Sequence, residues 1–315
     1  MLKLPNAADV ETAYERIRSL VHQTPVLSCE SINDITGATI FFKCENFQKV
    51  GAFKYRGASN AVLSLSKGQK QSGVATHSSG NHAAALALAA QKAGVQAHIV
   101  MPENAPEIKK KAVEGYGAAI TFCEPTLHAR EKTLEDIIRK TGAVLVHPYN
   151  QWEVICGQGT ASLELMQQQS NIETILTPVG GGGLLSGTAS YIKERFTGVN
   201  VIAAEPVNAD DAYRSFKSGI LQPVGKPDTI ADGLRTSLGT LNFEIIKNKV
   251  DQIITVKEES IINAMRMVWE RMKIIIEPSS AVPLAAVVEN KALFTNRTIG
   301  IILTGGNVDL EKLPF

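Results

Sequence analysis

The chain has 315 residues, 44% of them hydrophobic, and its 32 Lys and Arg against 31 Asp and Glu leave a formal net charge of +1. That length allows about two domains around a large core, and the balanced charge gives no case for nucleic acid or an anionic membrane as a partner. The longest apolar run, AAALALAA at 83–90, is far shorter than the roughly 20 residues that span a bilayer, and it reads as a buried helix.

The amino-terminal stretch MLKLPNAADVETAYERI turns amphipathic and acidic where a signal peptide would be basic and then apolar, so the expected location is the cytoplasm. Cys29, Cys44, Cys123 and Cys156 are scattered with no C-x-x-C pair, which predicts four free, mostly buried thiols and no zinc knuckle or disulfide framework. Next comes GAFKYRGA at 51–58, with Lys54 between two aromatic residues. Burial penalises an ammonium and frees the amine for proton transfer or Schiff-base chemistry. The plain alternative is a snorkelling side chain at a helix start.

From 73 onward, short β-branched runs alternate with helical stretches, the pattern of parallel sheets covered by helices, and the predicted class is α/β. The first series places strands at 73–76 (GVAT), 96–101 (QAHIVM), 118–122 and 143–146 (AVLV), with helices at 83–93, 105–115 and around 131–141. A second series has strands at 174–178 (TILTP), 200–204 (NVIAA), 252–256 (QIITV) and 298–303 (TIGIIL). It carries a helix through 191–196, a Gly-, Pro- and Asp-rich loop over 205–239, and two helices before the last strand. Two units packed closely with a cleft between them are expected, and such clefts are where ligands bind.

Four clusters in these series carry chemistry. THSSGNH at 76–82 lies between a strand and a helix, and offers hydroxyls, an amide and backbone N–H groups suited to a carboxylate; a helix cap is the plain alternative. PVGGGGLLSG at 178–187 follows a strand and opens a helix, so successive glycine amides can converge on a phosphate. Neither G-x-G-x-x-G nor G-K-[ST] fits this run, which points to a phosphate without a nucleotide. EPVNADD at 205–211 gathers three carboxylates at a strand end, either a solvated acidic loop or oxygen ligands for a hard cation. ILTGGN at 302–307 sets a hydroxyl, Thr304, at the end of a strand. A Ser-His-Asp hydrolase is disfavoured, since no G-x-S-x-G elbow is present.

Taken together and in this order, the lysine in FKYRGA, then SSGNH, GGGG and GGN closely resemble the fold-type II pyridoxal-phosphate enzymes, and within them the serine racemase and serine/threonine dehydratase branch. HQTPV at 22–26, GQGT at 157–160, EPVNADD and WERMKIIIEPSSA at 269–281 extend the resemblance over about 8–310.

The resemblance implies two open, twisted, mainly parallel α/β domains with the active site in the cleft between them. The large domain would comprise 1–72 and 150–315, and a small mobile domain 73–149. It also implies a homodimer. By position, Lys54 would be the Schiff-base lysine, Phe53 would pack against the cofactor ring and Asn81 would bond its hydroxyl. Gly180, Gly181, Gly182, Gly183 and Leu184 would give amides to the phosphate, and Thr304 would face the pyridine nitrogen. Ser78, Ser79, Gly80 and His82 would border the substrate carboxylate, while Glu205, the carbonyl of Ala209 and Asp211 match a Mg²⁺ or Ca²⁺ site.

Two departures matter. Ala83 and Ala84 stand where animal racemases carry Gly and Gln, the latter tied to nucleotide activation, and with the sequence ending at Phe315 no regulatory domain like that of long threonine dehydratases is expected. The activity implied is dehydration of L-serine or L-threonine to a 2-oxo acid and ammonia, with serine racemisation as a second outcome if Ser79 serves the opposite face. A primary racemase and a 3-hydroxyaspartate dehydratase are the alternatives within the family. From other classes, a non-catalytic amino-acid-binding protein is disfavoured by the intact Lys54, Ser79 and Thr304, and a nucleotide-dependent kinase or dehydrogenase by the failed glycine spacings.

Overall fold

The structure, a computed structural model, describes residues 3–105 and 107–315. Met1 and Leu2 of the amino-terminal stretch, and residue 106 of the helix expected over 105–115, lie outside the description.

The described strands are β1 (Val26–Leu27), β2 (Thr39–Cys44), β3 (Val74–His77), β4 (Ala97–Pro102), β5 (Ala119–Cys123), β6 (Val144–Leu145), β7 (Thr174–Pro178), β8 (Asn200–Pro206), β9 (Gln252–Val256) and β10 (Thr298–Leu303). They form a six-stranded sheet in the order β1-β2-β10-β7-β8-β9 and a four-stranded sheet in the order β5-β4-β3-β6. Every pairing is parallel except β1 with β2. The α/β class is thus the fold adopted. The small sheet uses one contiguous stretch, while the large sheet takes chain from both sides of it.

Parallel strands covered on both faces read as continuous apolar runs, and β7, β9 and β10 lie where TILTP, QIITV and TIGIIL place them. On β2, Ile40 and Phe42 join one core and Phe41 packs against the other, the period of two that a two-faced sheet demands. This strand escaped the sequence pattern because Lys43 interrupts it. Lys43 is fully buried, and its Nζ donates to Thr24 O (2.8 Å), Glu164 Oε2 (2.7 Å) and Gln168 Oε1 (2.9 Å).

Three differences among the helices bear on the site. The helix expected over 191–196 runs from Gly183 to Arg195, beginning inside the glycine run. The loop expected over 205–239 carries a helix, Asp211–Ser218, whose first amides are capped from outside by the Glu205 carboxylate. The helix Trp152–Gln168 was masked by its own glycines, which serve packing. A Cβ on Gly157 would lie 2.6 Å from Gly57 Cα, and one on Gly159 would lie 2.7 Å from Gly187 O. Glycine therefore brings the helices Lys54–Leu63, Trp152–Gln168 and Gly183–Arg195 to backbone contact, and ties the lysine helix to the glycine-run helix. Cys44, Cys123 and Cys156 are buried and Cys29 is half-buried, all as free thiols. Among the described residues, no helix is long and apolar enough to cross a membrane.

Candidate active site

The lysine segment is seated on the end of β10. Phe53 N donates to Thr304 O (2.9 Å), Gly306 N donates to Gly51 O (2.9 Å), and Ala52 pairs with Gly305 as an antiparallel bridge. Lys54 then opens the helix Lys54–Leu63. Its half-buried Nζ donates to Pro148 O at 2.8 Å and lies 5.2 Å from the centroid of the Phe53 ring. Burial, opposed by the nearby Glu277 charge, lowers its pKa to about 8. Two residues on, the buried Arg56 is held by Glu45 and Glu164, each at 2.7 Å, so the helix is pinned by matched charges.

SSGNH joins β3 to the helix Asn81–Ala93. Gly80 is the N-cap and no side chain caps this helix, which leaves the Ser78, Ser79 and Asn81 side chains available for other partners. Ser78 Oγ accepts from Gly80 N (3.3 Å). Asn81 Nδ2 donates to both carboxylate oxygens of Glu277 (3.0 and 3.1 Å), and Asn81 Oδ1 accepts from Asn307 Nδ2 (2.9 Å). Glu277 is buried, and burial together with the Asp232 charge pushes its carboxyl up to about 7. The His82 ring is also buried. Its Nε2–H donates to Val146 O (3.1 Å), so the ring supports the chain just beyond β6, and its Nδ1 has no partner among the described residues. Burial, helped by the Lys54 charge, pulls its pKa down to about 3.

The glycine run is shaped by its neighbours. Gly182, the N-cap of its helix, has φ 92°, a conformation that favours glycine. A Cβ on Gly181 would fall 2.4 Å from the Tyr149 ring, and one on Gly180 would fall 2.9 Å from Leu234 Cα. The first amides of the helix have no intrahelical carbonyl to meet, and the macrodipole there favours an anion. Asn242 Nδ2 fastens the wall by donating to Gly181 O (2.7 Å) and Tyr149 O (3.1 Å). At the end of β10, Thr304 Oγ1 is buried 3.0 Å from Ser280 Oγ, a pair of neutral hydroxyls.

Lys54, the SSGNH turn and Thr304 are therefore connected through Pro148, Glu277 and the stitched loop, with the glycine run joined to the same wall through Tyr149 and Asn242. The sequence had not singled out His147, Pro148, Tyr149, Asn150, Asn242 or Glu277. The signal for the first four was HPYN, turn-forming residues between a strand and a helix.

Glu205, Ala209 and Asp211 lie together and are buried, which excludes the solvated acidic loop. Glu205 accepts from Ala212 N (3.1 Å) and Tyr213 N (2.9 Å), Asp211 Oδ2 accepts from Leu238 N (3.0 Å), and Asp211 Oδ1 is buried with no partner among the described residues. Burial pushes Asp211 up to about 6 and Glu205 well above the carboxylate range. The nearby Arg214 is paired with Asp210 at 2.8 Å. Among the described residues no three His, Cys, Asp or Glu side chains gather as a metal centre.

Beyond Asn81 lies a cavity of about 700 Å³ lined by Asn81, Ala84, Tyr116, Asp232 and Asn307, which does not include Lys54.

Comparison with known proteins places the chain in a family. A beta-hydroxyaspartate dehydratase of Paracoccus denitrificans is 47% identical over 312 residues, covering 99% of this chain and 99% of that protein. A serine racemase of Dictyostelium discoideum is 51% identical over 309 residues, covering 97% and 95%. The crystal structure of a threonine deaminase from T.th. superposes with a TM-score of 0.93 at 40% identity, covering 97% of this chain and 99% of that one. The family model described as pyridoxal-phosphate dependent enzyme matches residues 17–305, and the chain belongs to that family.

Proposed function

We propose that the protein is a dehydratase of β-hydroxy amino acids, converting L-serine or L-threonine to a 2-oxo acid and ammonia, with inversion of serine as a second outcome. The observation that carries this reading is the Lys54 amine, half-buried, lowered to about 8 and held at 2.8 Å by a backbone carbonyl beside the helix-start anion site. Such an amine is available both to bond a carbonyl carbon and to move a proton near neutral pH.

Pyridoxal phosphate fits these residues: a glycine cradle that a Cβ would fill, a reactive lysine beside an aromatic ring, and an amide on the neighbouring helix. When bound, it supplies an electron sink for the substrate α-carbon. Lys54 would hold it, Phe53 would pack on its ring and Asn81 would bond its hydroxyl. Gly180, Gly181, Gly182, Gly183 and Leu184 would give amides to the phosphate, and the neutral Thr304 would face the ring nitrogen. A neutral hydroxyl there favours loss of the β-hydroxyl over transamination. Ser78, Ser79, Gly80 and His82 would border the substrate carboxylate, with the His82 ring also held to Val146 O. Lys54 would remove the α-proton, and Ser79 would serve the opposite face. Glu205, the Ala209 carbonyl and Asp211 would bind Mg²⁺ or Ca²⁺, for which the unpartnered Asp211 Oδ1 is suited. The units 1–72 with 150–315 and 73–149, a cytoplasmic location and a homodimer belong to the same reading. The Paracoccus relative favours 3-hydroxyaspartate as a second substrate.

Borohydride reduction of the yellow protein should fix the cofactor to the peptide containing Lys54. An amino-acid panel scored for 2-oxo acid release and for inversion should respond to hydroxy amino acids. Label on another lysine, or no response across the panel, would reject this function.

A further inference from the structure

The turn after β6 is folded around one imidazole. His147 Nδ1 accepts from both Tyr149 N (3.2 Å) and Asn150 N (2.9 Å), the two-amide pattern usually made by Asn, Asp or Ser. The ring also meets Tyr149 edge-on, centroids 4.6 Å apart. Its backbone N donates to Gln151 Oε1 (2.9 Å), and Asn150 Oδ1 accepts from Leu241 N (3.0 Å), so the turn is closed on both sides. Between the ring and the amides it holds lies Pro148, whose carbonyl receives the Lys54 amine.

We infer that His147 is a positioning residue for the lysine, its Nδ1 shaping the turn so that Pro148 O holds the Lys54 amine whenever that amine is free. The inference rests on the proposed role of Lys54. A proline carbonyl cannot be altered by changing its own side chain, so its direction depends on the neighbours that fold the turn. An amine donating one N–H to Pro148 O has its lone pair directed away from that carbonyl. When it takes the α-proton, the substrate C–H bond breaks, an N–H bond forms, and the electron pair stays on the carbon, for which bound pyridoxal phosphate would supply the sink. The resulting ammonium already has an acceptor. Burial, with the His77 and Lys54 charges, keeps the His147 imidazole down to about 4, so Nδ1 remains an acceptor at neutral pH.

The test uses the full chain as wild type, His147→Phe, which keeps a ring against Tyr149 but removes the acceptor, and His147→Asn, which restores an acceptor near the Nδ1 position. Before cofactor is added, trace acetic anhydride at pH 7 labels Lys54 relative to the exposed Lys67. Without the carbonyl to favour its ammonium, Lys54 of the Phe variant should label several-fold faster than wild type, and the Asn variant should match wild type. In the holoenzymes, the isotope effect with α-deuterated L-serine should rise in the Phe variant and return in the Asn variant, a pattern that simple loss of stability does not produce. Equal Lys54 labelling in wild type and Phe variant, or an Asn variant that behaves like the Phe variant, would overturn the inference. If the Phe variant does not fold, wild-type labelling and isotope effect in the Asn variant support it and a departure in either overturns it. Failure of added pyridoxal phosphate to protect wild-type Lys54 would instead reject the Schiff-base role itself.

Discussion

Gly57 and Gly157 meet backbone to backbone. A Cβ on Gly157 would stand 2.6 Å from Gly57 Cα and 2.7 Å from Arg56 O, atoms that no rotamer change can move. The lysine helix is thereby set against the helix Trp152–Gln168 at a distance only glycine permits. Gly157→Ala should cost about 3 kcal/mol in urea denaturation through overpacking, and should also reduce cofactor absorbance because Lys54 is displaced. Gly68→Ala is the control: open space surrounds that position, and its stability should rise by up to about 1 kcal/mol. Equal stabilities for the two variants would count against the packing argument.

Glu277 joins Asn81 to the end of β10, and its folded pKa of about 7 is higher than that of an ordinary glutamate. The folded state therefore holds a proton that the unfolded chain releases, and stability falls as pH rises from the ordinary carboxylate range to about 7, then levels. Relative to Glu277→Gln, the wild type should lose at most about 3 kcal/mol between pH 5 and pH 8. Paired melts at both pH values check this, and a constant difference would refute it.

Asp211 and Glu205 follow the same sign, both raised chiefly by burial, while the nearby Arg214 is paired with Asp210. In chelator, the melting temperature should fall as pH rises through about 6. Mg²⁺ or Ca²⁺ should restore it, because a bound cation favours the ionised carboxylates. Asp211→Asn should melt higher than wild type in chelator at pH 8 and no longer respond to the cation. Melting curves with and without chelator decide, and identical curves for the wild type would exclude the site.

Ser79 stands in the SSGNH turn, where no side chain caps the helix. Inversion needs an acid or base on each face of the α-carbon, whereas dehydration of an L-substrate needs only the Lys54 face. Ser79→Ala should abolish inversion of serine while appreciable 2-oxo acid release remains, with substrate binding weakened by about 1 kcal/mol for one neutral hydrogen bond. Chiral analysis beside a 2-oxo acid assay measures both. Inversion at the wild-type rate would place the second acid or base elsewhere.

Runs such as TILTP and TIGIIL were legible because a strand buried on both faces has no polar side to hide it. TIFFKC was not, because the partners that let Lys43 be buried, Glu164 and Gln168, are remote in sequence. The site was legible where chemistry concentrates in contiguous motifs, in FKYRGA, SSGNH, GGGG and GGN. It was illegible where one group is delivered by a fold-back, as Pro148 O is to Lys54 and Asn242 Nδ2 to Gly181 O. Glu277 belongs to that second class, since its carboxyl is informative only once Asn81 and Asn307 close on it.

The place of β10 has a consequence for synthesis on the ribosome. It is the last strand to be made, yet it lies inside the large sheet between β2 and β7. The four strands of the small sheet emerge together and can pair while translation continues. The large sheet has to wait with the facing edges of β2 and β7 unpaired, the kind of exposed edge that invites association between chains. Phe53 N likewise has no Thr304 O to meet until that strand arrives. Lys54 is thus made early and seated late, so a nascent chain stalled before β10 carries the reactive lysine without its setting.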